Sequence, residues 1–180
     1  MIQVWSEIPS AQRASLEKQL EEIFFLSSVK TQFSSPEEKK NFFHKWTEYY
    51  FQSEPQHIYL AIDDQGQLLG YLMGCVSSYG ASEFYEKRNP GYALFQDLFD
   101  SYPAHLHINC HPRSRGQGAG KKLVEHFVKE LALAKIPGLH IVTASGARNV
   151  QFYRNCGFDF EEQRLLNKVP LLFMGRKIRF

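Results

Sequence analysis

Apolar positions recur at helical spacing from Ser10 to Leu26, where Leu16, Leu20, Ile23 and Phe24 share one side, and this predicts a first helix. Ser35-Pro36-Glu37-Glu38 then reads as a helix start: a hydroxyl to cap, a proline suited to the first helical position, and Glu38 to complete a capping box. This second helix is expected to run to about Phe51, with Phe42, Phe43, Trp46, Tyr49 and Tyr50 as a broad aromatic face. The period then changes. His57 to Ile62 and Gln67 to Val76 read as strands joined by the turn sequence Asp63-Asp64-Gln65-Gly66, which predicts a β-hairpin.

Ser77 to Pro90 is polar and interrupted, as a long loop would be, and Tyr92 to Phe99 reads as a short helix. A strand over Ala104 to Cys110 leads to a helix over Gly118 to Ala134 with apolar Leu123, Val124, Phe127, Val128 and Leu131. After the break at Pro137-Gly138 come an apolar strand, Leu139 to Ala144, and a short helix, Asn149 to Asn155. Gly157 suits a left-handed C-terminal cap on that helix. Strands over Phe158 to Glu162 and Val169 to Lys177 finish the chain. Hairpin, strand–helix–strand–helix, then strands: the order predicts an α/β or α+β sandwich around one sheet.

Composition narrows the class. The chain has 180 residues, enough for one domain with a sizeable core. Hydrophobic residues make up 43% and charged residues 22%, ordinary globular usage. A net charge of +2 builds no strong field for nucleic acid or an anionic membrane, so neither is expected as a partner. Cys75, Cys110 and Cys156 are far apart, without a disulfide or C-x-x-C spacing, which suggests reduced thiols in the cytoplasm. The first residues lack a basic then apolar leader, and no run approaches the ~18 apolar residues of a membrane span.

The richest chemistry lies between His107 and Leu123. A strand feeds the turn Arg115-Gly116-Gln117-Gly118-Ala119-Gly120, which opens an amphipathic helix. Glycines let an anion approach the unpaired amides at the positive helix end, and Arg113, Arg115, Lys121 and Lys122 add charge there. Spacing separates the phosphate loops. A Walker A loop fails because position 115 is Arg and Lys122 stands where a hydroxyl should bind magnesium. The dinucleotide fingerprint G-x-G-x-x-G fails because its third glycine position is Lys121.

A third pattern is Arg or Gln, two residues, Gly, one residue, then Gly or Ala. Arg115, Gly118 and Gly120 match it. Here the chain resembles the GNAT superfamily of acyl-CoA N-acyltransferases. The run Asn149-Val150-Gln151-Phe152-Tyr153-Arg154-Asn155-Cys156-Gly157-Phe158 is similar to that superfamily's ending and follows in the right order. The resemblance is clear over Ala104 to Phe160, fair over the hairpin and poor before it. Tyr102 to Ile108 further resembles the branch related to the acetyltransferase-like region of eukaryotic O-GlcNAc hydrolases.

The resemblance implies a single acyltransferase domain over 1–180, with a mixed, mostly antiparallel sheet and helices on both faces. Residues 1–100 would supply the acceptor side and 104–160 the coenzyme-binding core. Acetyl-CoA would be the acyl donor, with no metal, and an amine on a small molecule, peptide or protein the acceptor. Backbone at Asn109, Cys110 and His111 would pair with the pantetheine arm. The loop residues Arg115, Gly116, Gln117, Gly118, Ala119, Gly120 and Lys121 would hold the pyrophosphate. The strand at Leu139 to Ala144 would splay from its neighbour to open a slot for the thioester, and Asn149 and Tyr153 would point toward it. Tyr153 is the candidate general acid for the leaving thiolate.

The base is less defined. The superfamily often places an acidic residue on the strand before the loop, and no acidic residue lies between Asp100 and the loop. His105, His107, Asn109 and His111 alternate onto one strand face, and His107 is the candidate base, with His105 the other imidazole in reach. Zinc on the three histidines is disfavoured, since positions 107 and 111 of an extended strand stand roughly 13 Å apart. The departure from an acidic base keeps a second class open: a non-catalytic acyl-CoA-binding or protein-interaction module. Tyr49, Tyr50, Tyr79, Phe84 and Tyr85 suggest an apolar or flat acceptor, and core packing explains them equally well; Glu83 and Glu86 could attract a cationic amine. Oligomeric state stays open, a homodimer included.

Overall fold

The computed structural model describes residues 1–82 and 90–180. Glu83, Phe84, Tyr85 and Glu86, the acceptor-side candidates of the long loop, lie outside the described residues. The strands are β1 (Ile2–Val4), β2 (Ile58–Ile62), β3 (Leu68–Cys75), β4 (Ala104–Cys110), β5 (Gly138–Ala144), β6 (Phe160–Leu166) and β7 (Val169–Lys177). They form one seven-stranded sheet in the order β1-β2-β3-β4-β5-β7-β6. The β1–β2, β2–β3, β5–β7 and β6–β7 pairs are antiparallel, and β4–β5 is parallel. This is the mixed, mostly antiparallel sheet expected. Along the chain, two compact units alternate: residues 1–74 with 107–124, and 75–106 with 125–180.

In the first unit, α1 (Ser10–Ser27) buries Leu16, Leu20, Ile23 and Phe24, the predicted stripe. Gln19 Oε1 accepts from Leu68 N at 2.9 Å and ties α1 to the hairpin. At α2 (Pro36–Ser53) the Ser35 hydroxyl accepts from Glu38 N at 3.1 Å. The return arm of the predicted capping box lands one residue early. Glu38 Oε2 accepts from Ser34 N at 2.6 Å and Ser34 Oγ at 2.7 Å, while Lys30 holds the other oxygen at 2.5 Å. The aromatic face of α2 divides: Phe43 and Tyr50 are core, whereas Phe42, Trp46 and Tyr49 are half-buried.

The hairpin turns where Asp63 N donates to Gln67 O, with Gly66 at φ +78° as the turn needs. Strand β1, which the sequence pattern did not reveal, pairs Ile2, Gln3 and Val4 with Ala61, Leu60 and Tyr59. Gly70 is where β3 and β4 come close: a Cβ there would stand 2.9 Å from Asn109 O and from Cys110 Sγ.

The second unit holds most of α4 (Ala119–Leu133) and all of α5 (Val150–Asn155). Instead of one helix over Tyr92 to Phe99, a single turn, α3 (Pro90–Ala93), is followed by a 3-10 turn at Gln96–Leu98. Phe95, Phe99, Tyr102 and Phe173 meet in one buried cluster, so tertiary packing overrides local helical preference here. Past α5, Gly157 takes φ +78° as predicted, and Phe158 N donates back to Tyr153 O at 3.1 Å. The cap occupies Phe158, so β6 begins at Phe160, and its pairing with β7 carries it to Leu166.

Two imidazoles sit in the core of this unit. His105 and His140 are fully buried register partners of β4 and β5. The Ser78 hydroxyl lies 2.7 Å from His105 Nδ1. His140 Nδ1 donates to Tyr102 O at 2.6 Å, and its ring stacks with Phe99 and Phe173. Burial lowers the pKa of His140 to about 4 and that of His105 well below its usual value.

An unfolded chain protonates His140 below about pH 6.5, the native chain only near pH 4, so its contribution is full above 6.5 and falls between the two, and His105, lowered in the same direction, adds to the same trend. His140 alone should cost about 3 kcal/mol at pH 4. Urea unfolding near pH 4.5 is therefore expected at a clearly lower midpoint than near pH 7. Equal midpoints would mean that the rings are hydrated.

Candidate functional site

Strand β4 leaves the sheet edge-bonded to β3: His111 N donates to Leu69 O at 2.9 Å, and the buried Ser114 hydroxyl reaches the same carbonyl at 2.6 Å. Between them lies a 3-10 turn, Pro112–Ser114, for which His111 Nδ1 accepts from Arg113 N. This anchor fixes where the glycine loop starts. Gly116 and Gly118 adopt φ +78° and +82°, and a Cβ on either would meet nothing within 4 Å. Glycine is required there by backbone conformation rather than by crowding, and the space beside the loop is open.

Lys122 N donates to Gly118 O at 2.9 Å as the first bond of α4. The amides of Ala119, Gly120 and Lys121 meet no acceptor among the described residues. Three open N–H groups at the positive end of a helix, with exposed Arg113, Arg115, Lys121 and Lys122 around them, make an anion seat. Gln117 is pinned through its amide, which donates to Arg113 O at 2.7 Å.

In the same unit, His107 lies among aromatic rings. Trp46 stacks with it at 6.2 Å between centroids, Tyr71 lies at 5.8 Å and Phe24 at 6.0 Å. Its Nε2 is 3.2 Å from both Tyr71 Oη and Asn109 Nδ2, and Asn109 Nδ2 donates to Tyr71 Oη at 2.8 Å. Burial among these rings lowers its pKa to about 4, so the imidazole is neutral at physiological pH. Sequence reasoning gave no site role to Tyr71 or Phe24 and placed Trp46 only in the broad aromatic face of the second helix. Each sits in a run that reads as core, and only the register of β3 and β4 and the pitch of α1 and α2 bring them to His107.

The other candidates fall elsewhere. His105, the second imidazole in reach by strand alternation, is fully buried with Ser78, Tyr92 and His140. Cys110 is half-buried and its thiol is pushed up to about 11 by burial, which suits packing rather than nucleophilic chemistry. In the second unit Asn149 precedes α5 without a side-chain capping bond, and its Oδ1 instead accepts from Thr143 Oγ1 at 3.2 Å. Tyr153 lies one turn on, its N–H donating to Asn149 O, and is buried against Phe152 and Phe158.

Strands β4 and β5 pair at Ala104↔Leu139 and His105↔His140, and β5 pairs with β7 from Gly138 to Ala144. Among the described residues no three His, Cys, Asp or Glu side chains converge as a metal site, and no helix is long and apolar enough to cross a membrane.

The model of the acetyltransferase (GNAT) family matches residues 20–158, and the chain belongs to that family. Its members take an acetyl group from acetyl-CoA. Solved structures show the same fold at low identity. SsHAT is 18% identical with a TM-score of 0.74, over 100% of this chain and 98% of its own. An aminoglycoside 6'-N-acetyltransferase complexed with coenzyme A is 13% identical with a TM-score of 0.65, over 99% and 97%. Ribosomal-protein-alanine N-acetyltransferase from Brucella melitensis is 19% identical with a TM-score of 0.59, over 98% and 99%.

Proposed function

We propose that this chain is one N-acetyltransferase domain that binds acetyl-CoA on the glycine loop and passes the acetyl group directly to an amine in a ternary complex. The observation that carries this reading is the loop itself: two left-handed glycines, open amides at the start of α4, and basic side chains around them. The coenzyme's pyrophosphate would sit on the amides from Gln117 to Lys121, with Arg115, Gly116 and Gly118 shaping the turn. Its pantetheine arm would pair with β4 at Asn109 to His111. Asn149 is assigned to the coenzyme's side as well.

In the reaction the amine nitrogen attacks the thioester carbon, the C–S bond breaks and the thiolate leaves. Tyr153 gives its phenolic proton to that sulfur. His107, neutral at physiological pH, takes the proton that the amine must lose. Backbone N–H groups in the expected strand opening would steady the oxyanion. The acceptor is a small-molecule or peptide amine, and cytoplasmic location is consistent with three cysteines that form no disulfide.

Calorimetric titration tests the reading. Wild type is expected to bind acetyl-CoA in the micromolar range, and Gly118→Trp, which puts an indole into the open space beside the loop, to bind none. Absence of binding to wild type would reduce the loop to a turn. A second reading, a non-catalytic acyl-CoA-binding module, draws on one observation: the only candidate base of β4 able to meet an acceptor is an imidazole with a pKa of about 4. Tight coenzyme binding without turnover over a broad amine panel would favour it.

A further inference from the structure

The segment joining α1 to α2 borders an open pocket of about 640 Å³, with Phe25, Phe33, Lys30 and Lys39 among its walls. Its charges are not equivalent. Lys30 Nζ is bound to Glu38 at 2.5 Å, and that carboxyl is held down to about 2 by the contact with Lys30 and by the Ser34 bonds. The start of α2 is likewise occupied, by the Ser35 hydroxyl and the same Glu38 carboxylate. Lys39 differs. Its Nζ lies 4.4 Å from the centroid of Phe25, and no carboxylate among the described residues pairs with it.

A cation resting on a ring at an exposed site is held weakly, and a carboxylate offers it a stronger, charge-assisted bond. The lining is mixed: Phe25, Phe33 and Pro36 are apolar, and Thr31 and Ser34 carry hydroxyls. Leu26 and Val29, which precede the cavity in the chain, are 49% and 100% exposed. From the cavity an aromatic wall runs to the candidate base. Phe25 meets Phe33 at 5.5 Å, Phe33 meets Phe42 at 5.5 Å, Phe42 meets Trp46 at 6.5 Å, and Trp46 stacks with His107. Up to Trp46 these rings meet edge-on or tilted, and a molecule held at Lys39 would follow the chain of contacts toward the imidazole.

We propose that this cavity is a specificity subsite for the end of the acceptor remote from the amine, and that it selects acceptors carrying a carboxylate on an aromatic or apolar body. The inference rests on the acetyl-transfer reading for the word acceptor; the ligand chemistry rests on the cavity alone. Lys39 is its specificity residue, and Phe25 and Phe33, set edge to face, are its aromatic walls.

Ligand-observed saturation-transfer NMR tests the pocket without turnover, with hydrocinnamate, hydrocinnamyl alcohol and phenethylammonium as probes. Wild type is expected to bind hydrocinnamate about tenfold more tightly than the other two. Lys39→Met should erase that preference, and Phe33→Ala should weaken all three. Equal binding of acid and alcohol, or an unchanged preference in Lys39→Met, overturns the proposal. A second assay compares acetylation of para-(aminoethyl)benzoate and phenethylamine. Wild type should favour the benzoate in kcat/KM about tenfold, and Lys39→Met should not. Acetyl-CoA titration separates the two claims: no coenzyme binding sinks the acetyl-transfer reading, whereas coenzyme binding and turnover without a carboxylate preference sink the subsite.

Discussion

Tyr153→Phe is expected to lower kcat by about 10²- to 10⁴-fold while acetyl-CoA binds as before. The change removes one oxygen and keeps the ring. Tyr153 is 5% exposed, and its ring packs edge-on against Phe152 at 5.2 Å and Phe158 at 5.3 Å, contacts that phenylalanine retains. On the proposed mechanism, what is lost is the proton offered to the departing thiolate. Without it the sulfur must leave as an anion or find a solvent proton, and the transition state rises. The readout is a split between steady-state kcat and calorimetric affinity for acetyl-CoA, with thermal unfolding as the folding control. Wild-type turnover in Tyr153→Phe would remove Tyr153 from the mechanism. Parallel loss of binding and stability would make it a packing residue.

The largest stability effect is expected at Gly138. This residue opens β5 opposite Lys177, and a Cβ on it would stand 2.3 Å from Ser101 O and 2.9 Å from Tyr102 Cα. Both are backbone atoms and cannot swing away, so Gly138→Ala must push apart β5 and the residues preceding β4. We expect a cost of about 3 kcal/mol, which for a chain of this size lowers Tm by about 6–12 °C. Gly66→Ala is the control. Gly66 sits at positive φ, but nothing stands within 4 Å of its Cβ position, so only backbone strain of about 1 kcal/mol is expected. If Gly138→Ala melts no lower than Gly66→Ala, the close approach at Ser101 is not rigid.

Much of this architecture is legible in the chain because its signals are local. The α1 stripe, the Ser35-Pro36 start of α2, the Asp63 to Gly66 turn and the Gly157 cap each depend on residues within a few positions of one another. The glycine loop is the strongest case. Its two positive φ angles and its open amides are backbone facts that the spelling Arg115 to Gly120 anticipates. Three things were not legible, and each is non-local. β1 is too short to show a period and exists because Ala61, Leu60 and Tyr59 offer it an edge. The expected helix over Tyr92 to Phe99 breaks because Phe95 and Phe99 are drawn into a core shared with Phe173, far along the chain. The surroundings of His107 combine α1, α2, β3 and β4, so neither the drop in its pKa nor its aromatic walls could be read from β4 alone.

The order of strands also bears on where a second copy of this protein could not attach. The sheet ends in β1 and β6. β1 has only three residues, too few to template a long partner strand. β6 is longer, but its half-buried positions include Glu162 and Arg164. Arg164 is clamped to Asp97 at 2.5 and 2.7 Å, bonds Glu162, and donates to Leu94 O at 2.6 Å. A foreign strand added beside β6 would have to lie along a row of charges already committed to their own partners. Short at one end and ionic at the other, the sheet is guarded against growing by edge addition, so self-association of this chain is steered toward surfaces other than its strand edges.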